Sequence, residues 1–440
     1  MKRRSVITMV AMTMLGFALP PGGAPLAETL QPVAHPEELG FDTDRLQRVT
    51  KAFLGYVDAG QLPGAVVLIA RSGKVAYLRA FGHQDREKQV AMTPSSIFRI
   101  ASMTKPIVTV AAMTLVEEGK LDIAAPVSQY LPELKDLKVG IEKRDTNTGG
   151  SELVHEAQKR AMTVQDLMRH TAGLVYGQFG DGPIHKAYRA ANMTDRGQSL
   201  AEMVTKLSQL PLAHQPGEVW EYSMATDVLG RIIEIVSGGT LDSFVEERIT
   251  KPLGMASTGF YLREGDLGRL AQPQIDPATG ERPAMPDVTQ RPRWLSGGGG
   301  LVSTAADYLR FADMLLQRGA RDDIRLLAPA TVRLMTSNAL PPGIGYSARA
   351  MTEMADLAPT PAAGQGFGLG FAVRTATGRN SLPGSVGTFY WTGAYGTTFW
   401  IDPKEQLIGI MMIQVPLVAT GPYRRAMRYL TYQALRDRVE

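Results

Sequence analysis

Residues 98–108 read FRIASMTKPIV, an otherwise apolar run that holds a serine and, three positions on, a lysine. Read as a helix from about Ser102, positions three apart share a face, so Lys105 projects beside the Ser102 hydroxyl. A serine hydroxyl is a poor nucleophile until a base takes its proton. A neutral lysine amine one turn away can do so when desolvation or a nearby cation lowers its pKa. Ile100, Ala101, Met103, Ile107 and Val108 supply apolar surroundings, and a helix N-terminus directs free N–H groups at the nucleophile. Pro106 has no amide to bond the Ser102 carbonyl, which suits the first turn of a helix. The tetrapeptide alone is weak, because S-x-x-K should occur about once by chance in a chain of this size.

On the N-terminal side, TDRLQRVTKAFLGYVDA (43–59) has a helical apolar period, with Asp42 or Thr43 as cap. AVVLIAR (65–71) and KVAYLRAFG (74–82) are β-rich runs joined by Ser72-Gly73, a hairpin signal. The quoted stretch then opens a helix stopped near Gly119. Over 121–290 helical periods alternate with Gly/Pro/Asp-rich connections, and two polar stretches, 136–160 and 262–293, read as surface excursions. After Gly297–Gly300 come a helix (305–319), β-type runs (366–375, 387–403, 406–415) and a closing helix. The economical packing is an α/β domain built from 28–120 and 291–440, with a mainly helical domain, 121–290, inserted between its halves.

The first 30 residues begin with Lys2, Arg3 and Arg4, followed by an uncharged run from Ser5 to Leu19 and then small residues and prolines. Residues 1–27 therefore read as an export signal, placing the protein in the periplasm or outside the cell; an uncleaved anchor is the alternative, because Pro25 interrupts the small-residue pattern. Taking its three basic residues from the 47 Lys+Arg leaves near balance against 43 Asp+Glu, so there is no polyanion footprint and no nucleic-acid partner is expected. With no Cys in 440 residues, disulfides and thiolate catalysis are excluded. The nucleophile must be Ser, Thr, Lys or a carboxylate.

Two further stretches give Ser102 and Lys105 a context. In PGEVWEYSMATDVLG, Tyr222 falls between the Pro216-Gly217 turn and a new helix. A phenol beside a lysine ammonium can titrate below its usual ~10 and relay protons; a packed aromatic with an exposed hydroxyl is the plainer reading of an isolated Tyr. In WTGAYGTTFWI, Gly393 lets a strand backbone approach a bound carbonyl, where an edge N–H can serve an oxyanion.

In this order, Ser102-Met103-Thr104-Lys105, Tyr222-Ser223-Met224 and Trp391-Thr392-Gly393 resemble the S-x-x-K, Y-x-N and K-T-G motifs of the penicillin-recognising serine hydrolases: class C β-lactamases, serine D-alanyl-D-alanine peptidases and family VIII carboxylesterases. LMRHTAGL (167–174), LSGGGGLVST (295–304) and GFGLGF (366–371) are similar to that family as well, and the resemblance covers most of 35–435. It implies a β-lactamase/transpeptidase-like fold, an antiparallel sheet flanked by helices with an inserted helical domain. It also implies acylation of Ser102, acid–base work shared by Lys105 and Tyr222, and an oxyanion hole from the Ser102 and Ala394 amides.

Two departures bear on the substrate. Met224 and Trp391 stand where lactam-recognising members keep an Asn amide and a cation, groups that would contact a substrate amide and carboxylate. With Thr392 and Gly393 they are expected to form an apolar substrate site, as in the esterase branch, for an ester with an uncharged or aromatic part. A β-lactamase, a D-alanyl-D-alanine carboxypeptidase or a silent binding protein on the same fold are the alternatives. No G-x-S-x-G elbow occurs, and none of the histidines (His35, His83, His155, His170, His185, His214) follows residue 214, so an α/β-hydrolase triad is excluded. His170 is expected to be a structural hydrogen-bonder under the site. No zinc spacing is present, and neither metal nor cofactor is expected.

Overall fold

A computed structural model describes residues 30–144, 151–276, 278–354, 357–416 and 420–436. The segment read as an export signal lies outside the described residues, among which no helix is long and apolar enough to cross a membrane.

Helix α1 (Thr43–Asp58) starts where Asp42 accepts a hydrogen bond from the Arg45 amide and buries Leu46, Val49, Thr50 and Phe53 on one face. Strands β1 (Gly64–Arg71) and β2 (Lys74–Asp85) follow as an antiparallel hairpin. Its two-residue connection has positive φ at both Ser72 (52°) and Gly73 (75°), the turn whose twist matches that of the strands. Strand β3 (Val90–Ala91) closes this edge of the sheet. The opposite half comes from the other end of the chain, as β4 (Gln365–Phe367), β5 (Ala372–Arg374), β6 (Phe389–Thr392), β7 (Thr398–Asp402) and β8 (Leu407–Met412). The eight strands lie in the order β4-β5-β6-β7-β8-β1-β2-β3, every pair antiparallel. The seam that unites the chain ends is β1 on β8, with Val66 opposite Met412 and Arg71 opposite Leu407.

Every residue of β1, β6, β7 and β8 is buried, so both faces of the central sheet are covered. That is why GAVVLIAR and LIGIMM read as continuous apolar runs rather than as alternating ones. The cover comes from α1, from helix α4 (Ala305–Leu316) and from the closing helix α5 (Gly421–Tyr432). Between them run α2 (Thr104–Glu117) and α3 (Ala225–Ser237), packed against each other. α2 has a buried run from Thr104 to Leu115, as expected of a helix enclosed on all sides.

Residues 121–290 add no strand to the eight-stranded sheet among the described residues. The stretch 136–160, read from sequence as an excursion, instead contains an antiparallel hairpin, Val139–Arg144 with Ser151–Glu156. Its strands carry Glu, Lys, Arg and Ser, so their composition concealed them; pairing, with the Gly140 amide tied to Leu212, supplies what propensity lacks.

Candidate active site

The Ser102 turn is fixed on both sides. Ahead of it, Phe98–Arg99 pairs with Val302–Ser303, and the Ile100 amide bonds the Leu301 carbonyl. Behind it, the Tyr308 hydroxyl donates to the Met103 carbonyl at 3.0 Å and the Leu301 amide to Thr104 Oγ1 at 3.1 Å. Held this way, Ala101–Met103 makes a tight 3-10 turn, and Ala101 takes φ +44°, a left-handed conformation costing a non-glycine residue about 1–3 kcal/mol. α2 begins only at Thr104, two residues after the one that carries the hydroxyl.

Lys105 is 1% exposed. Its Nζ lies 3.4 Å from Ser102 Oγ, 3.0 Å from the Tyr176 hydroxyl and 2.6 Å from the Gly298 carbonyl oxygen. An ammonium has three hydrogens for these contacts; a neutral amine has two and turns its lone pair on one of them. The Nζ also sits 4.7 Å from the Tyr222 ring centroid and 5.3 Å from that of Tyr176. The phenol oxygen that touches the lysine is therefore that of Tyr176, which the sequence reading passed over. Burial, then Asp227, holds the Tyr176 phenol well above its usual pKa. Its signal was available: it stands six residues after His170, just beyond the LMRHTAGL stretch.

The Tyr222 hydroxyl accepts instead from Trp391 Nε1 at 3.3 Å. Tyr222 is packed among the rings of His170, Trp220 and Trp391 at centroid distances of 4.9, 6.4 and 5.2 Å. His170 is the floor of this group, with φ +58°, its Nδ1 3.4 Å from both the Ser223 amide and hydroxyl. Burial, and then the charge of Lys105, keep its imidazole pKa well below the ordinary value. Beneath it Asp166 accepts from Arg160, Arg169, Thr171 and Thr163, which anchors the turn and pulls its carboxyl down to about 2. That drop comes from these hydrogen bonds, against a burial effect that works the other way.

Gly393 shows why the third motif needs glycine. A Cβ there would lie 2.4 Å from the Ile100 carbonyl oxygen and 2.2 Å from Thr397 Oγ1. Its absence lets the end of β6 close on the Ser102 turn, bringing together the two backbones that carry the Ser102 and Ala394 amides. Ser102, Tyr222, Trp391, Thr392, Gly393 and Ala394 consequently line one cleft of about 400 Å³. Tyr390, Met354, Leu357 and Leu382 extend its apolar wall, and Arg349, Arg424, Arg425 and Arg428 line it too, Arg428 being buried with its guanidinium over the rings of Tyr390 and Trp400. Met224, expected beside the substrate, is not among the lining residues: it caps α3 and is 1% exposed, burial being the favourable place for a thioether.

A family model described as Beta-lactamase matches residues 49–431. The chain belongs to the beta-lactamase family. Within this family it is 31% identical to esterase EstB of Burkholderia gladioli, across 84% of this chain and 91% of that one. It is also 31% identical to the lovastatin esterase of Penicillium rubens, over 84% and 93% of the two chains. Among solved structures, EstCE1, a hydrolase with promiscuous acyltransferase activity, superposes with a TM-score of 0.72 at 27% identity, covering 90% of this chain and 99% of its own. The antiparallel sheet flanked by helices is thus the β-lactamase/transpeptidase-like fold, and the chain is a member of a serine hydrolase family with esterase relatives.

Proposed function

We propose that this protein is an exported carboxylesterase that works through a Ser102 acyl-enzyme. The observation that carries the reading is Ser102 Oγ, 3.4 Å from the Nζ of a buried Lys105 and opening into a cleft walled by Trp391 and Tyr222. Lys105, or the Tyr222 phenolate, takes the Ser102 proton as Oγ attacks the ester carbonyl. The Ser102 and Ala394 amides receive the oxyanion. Tyr222 protonates the departing alcohol, with the Tyr176 hydroxyl extending the route from Lys105. Water then resolves the acyl-enzyme with the same base.

Ester selectivity rests on the wall. Where lactam-recognising relatives place a cation, the indole of Trp391 packs on Tyr222 and Phe367 and offers no charge to a substrate carboxylate. The names of EstB and the lovastatin esterase favour the same class of substrate.

A chromogenic panel tests the reading. p-Nitrophenyl acetate and butyrate should be turned over faster than nitrocefin or D-alanyl peptides, and Ser102→Ala should remove ester turnover. Faster turnover of nitrocefin would reverse the assignment, and ester activity surviving in Ser102→Ala would remove the nucleophile. Fractionation of the producing cells, with N-terminal sequencing of the mature chain, tests export.

A further inference from the structure

Asp227 is a buried carboxylate that the acyl-enzyme scheme leaves unused. It is the third residue of α3 and is 0% exposed. Its Oδ1 accepts from Ser296 Oγ at 2.6 Å and from the Gly298 amide at 3.2 Å. Its Oδ2 lies with the Tyr176 hydroxyl where a side chain on Gly298 would project: a Cβ there would be 2.4 Å from the one and 2.7 Å from the other. Gly298 also offers its carbonyl to Lys105 Nζ at 2.6 Å, while the Tyr176 hydroxyl meets the same Nζ at 3.0 Å. One residue without a side chain thus brings the carboxylate, the phenol and the amine into a single buried group.

The groups facing this cluster are few. Lys105 comes from α2, Tyr176 and His170 from the 170–179 stretch, and Tyr222 from the segment before α3. Burial raises the Asp227 carboxyl, and the charge opposing that rise is Lys105. An ionised carboxylate here needs the ammonium, and an ammonium away from water needs the carboxylate. His170, held neutral by burial and by Lys105, adds no second cation.

We propose that Asp227 is a positioning residue for the base: across Tyr176 and Gly298, its carboxylate steadies the ammonium that Lys105 becomes on taking the Ser102 proton. The Oγ–H bond breaks as Oγ attacks and the proton resides on Nζ; when the bond from the acyl carbon to the alcohol oxygen breaks, Tyr222 protonates the leaving alkoxide and is reprotonated from Nζ. This rests on the reading of Ser102 as nucleophile and Lys105 as base.

The test is Asp227→Asn, whose amide oxygen still accepts from Ser296 and Gly298. kcat/KM on p-nitrophenyl butyrate is followed against pH, alongside fluorophosphonate labelling of Ser102. Without the carboxylate the ammonium gives up its proton more readily, so the ascending limb should move to lower pH by about one unit, with the plateau down at least about tenfold from the weaker base. Asp227→Ser, also uncharged, gives the same test if the Asn variant does not fold. A limb that stays in place overturns the proposal whether or not the plateau falls, because a merely structural aspartate would lower activity without moving it. If wild-type Ser102 takes no label, the nucleophile reading fails and Asp227 with it; a labelled Ser102 with an unmoved limb removes Asp227 alone.

Discussion

The two sides of Ser102 are built on opposite principles. On the Lys105 side the groups are polar and enclosed: an amine 1% exposed, a phenol, a carboxylate and backbone from a glycine run, within hydrogen-bonding reach of one another or across a single residue. On the cleft side the surface is largely aromatic and open to ligand, with Trp391, Tyr390 and Tyr222 forming a wall and four arginines sharing the lining. Polar groups out of water interact strongly and cannot rearrange cheaply, which suits proton transfer. An apolar wall discriminates by shape and desolvation, typically by ~1–3 kcal/mol per group, and tolerates variation. In this reading the first side sets what reaction occurs, and the second sets on which ester.

This division can be broken most directly where the two sides meet. Ser102→Ala should lower kcat at least about 10³-fold on p-nitrophenyl butyrate, since the covalent route is lost. Lys105→Ala should be nearly as severe and should add little in the Ser102→Ala background, because residues that act as one unit are not additive. Additive losses in the double variant would show that the lysine is not the serine's base.

The floor beneath the wall comes next. Asp166→Asn leaves two arginines without their carboxylate and should cost about 3 kcal/mol in chemical denaturation. Because the folded-state carboxyl sits at about 2, below the ordinary value of 3.8, its contribution is complete above that ordinary value and is lost as pH falls through about 2. Wild type and variant should therefore converge in stability at the acid end; a gap that persists below the folded value would assign the loss to packing.

The smallest effect sharpens the comparison most. Trp391→Phe keeps a ring on the wall but removes the indole N–H that meets Tyr222, worth about 1 kcal/mol or roughly fivefold in kcat/KM. Expressed mainly in KM, that loss keeps the wall on the side of selectivity. Expressed in kcat at the level of Lys105→Ala, it would make Trp391 part of the proton path.

Much of the molecule was legible in the chain because it is local. The Ser72-Gly73 turn, the capped helix at Thr43 and the apolar runs of β1 and β8 follow from residue type and spacing within a few positions. Ser102 and Lys105 were legible for the same reason, being neighbours one turn apart. The polar hairpin at 139–156 was not, because its strands owe their existence to partners rather than to their own composition. The burial of the Met224 thioether at the start of α3 was not legible either, because a motif position gives no direction to a side chain.

The sequence by itself determined that a serine and a lysine stand three positions apart in an apolar stretch, the family resemblance and the absence of a thiol. The tertiary structure decided which phenol touches the lysine, which carboxylate stands behind it and which residues face the cleft. Tyr176 lies 71 residues from Lys105, and Gly298 lies 193 from it and 71 from Asp227. Contacts at such separations are set by how α2, α3 and the glycine run pack together, and no local periodicity encodes them.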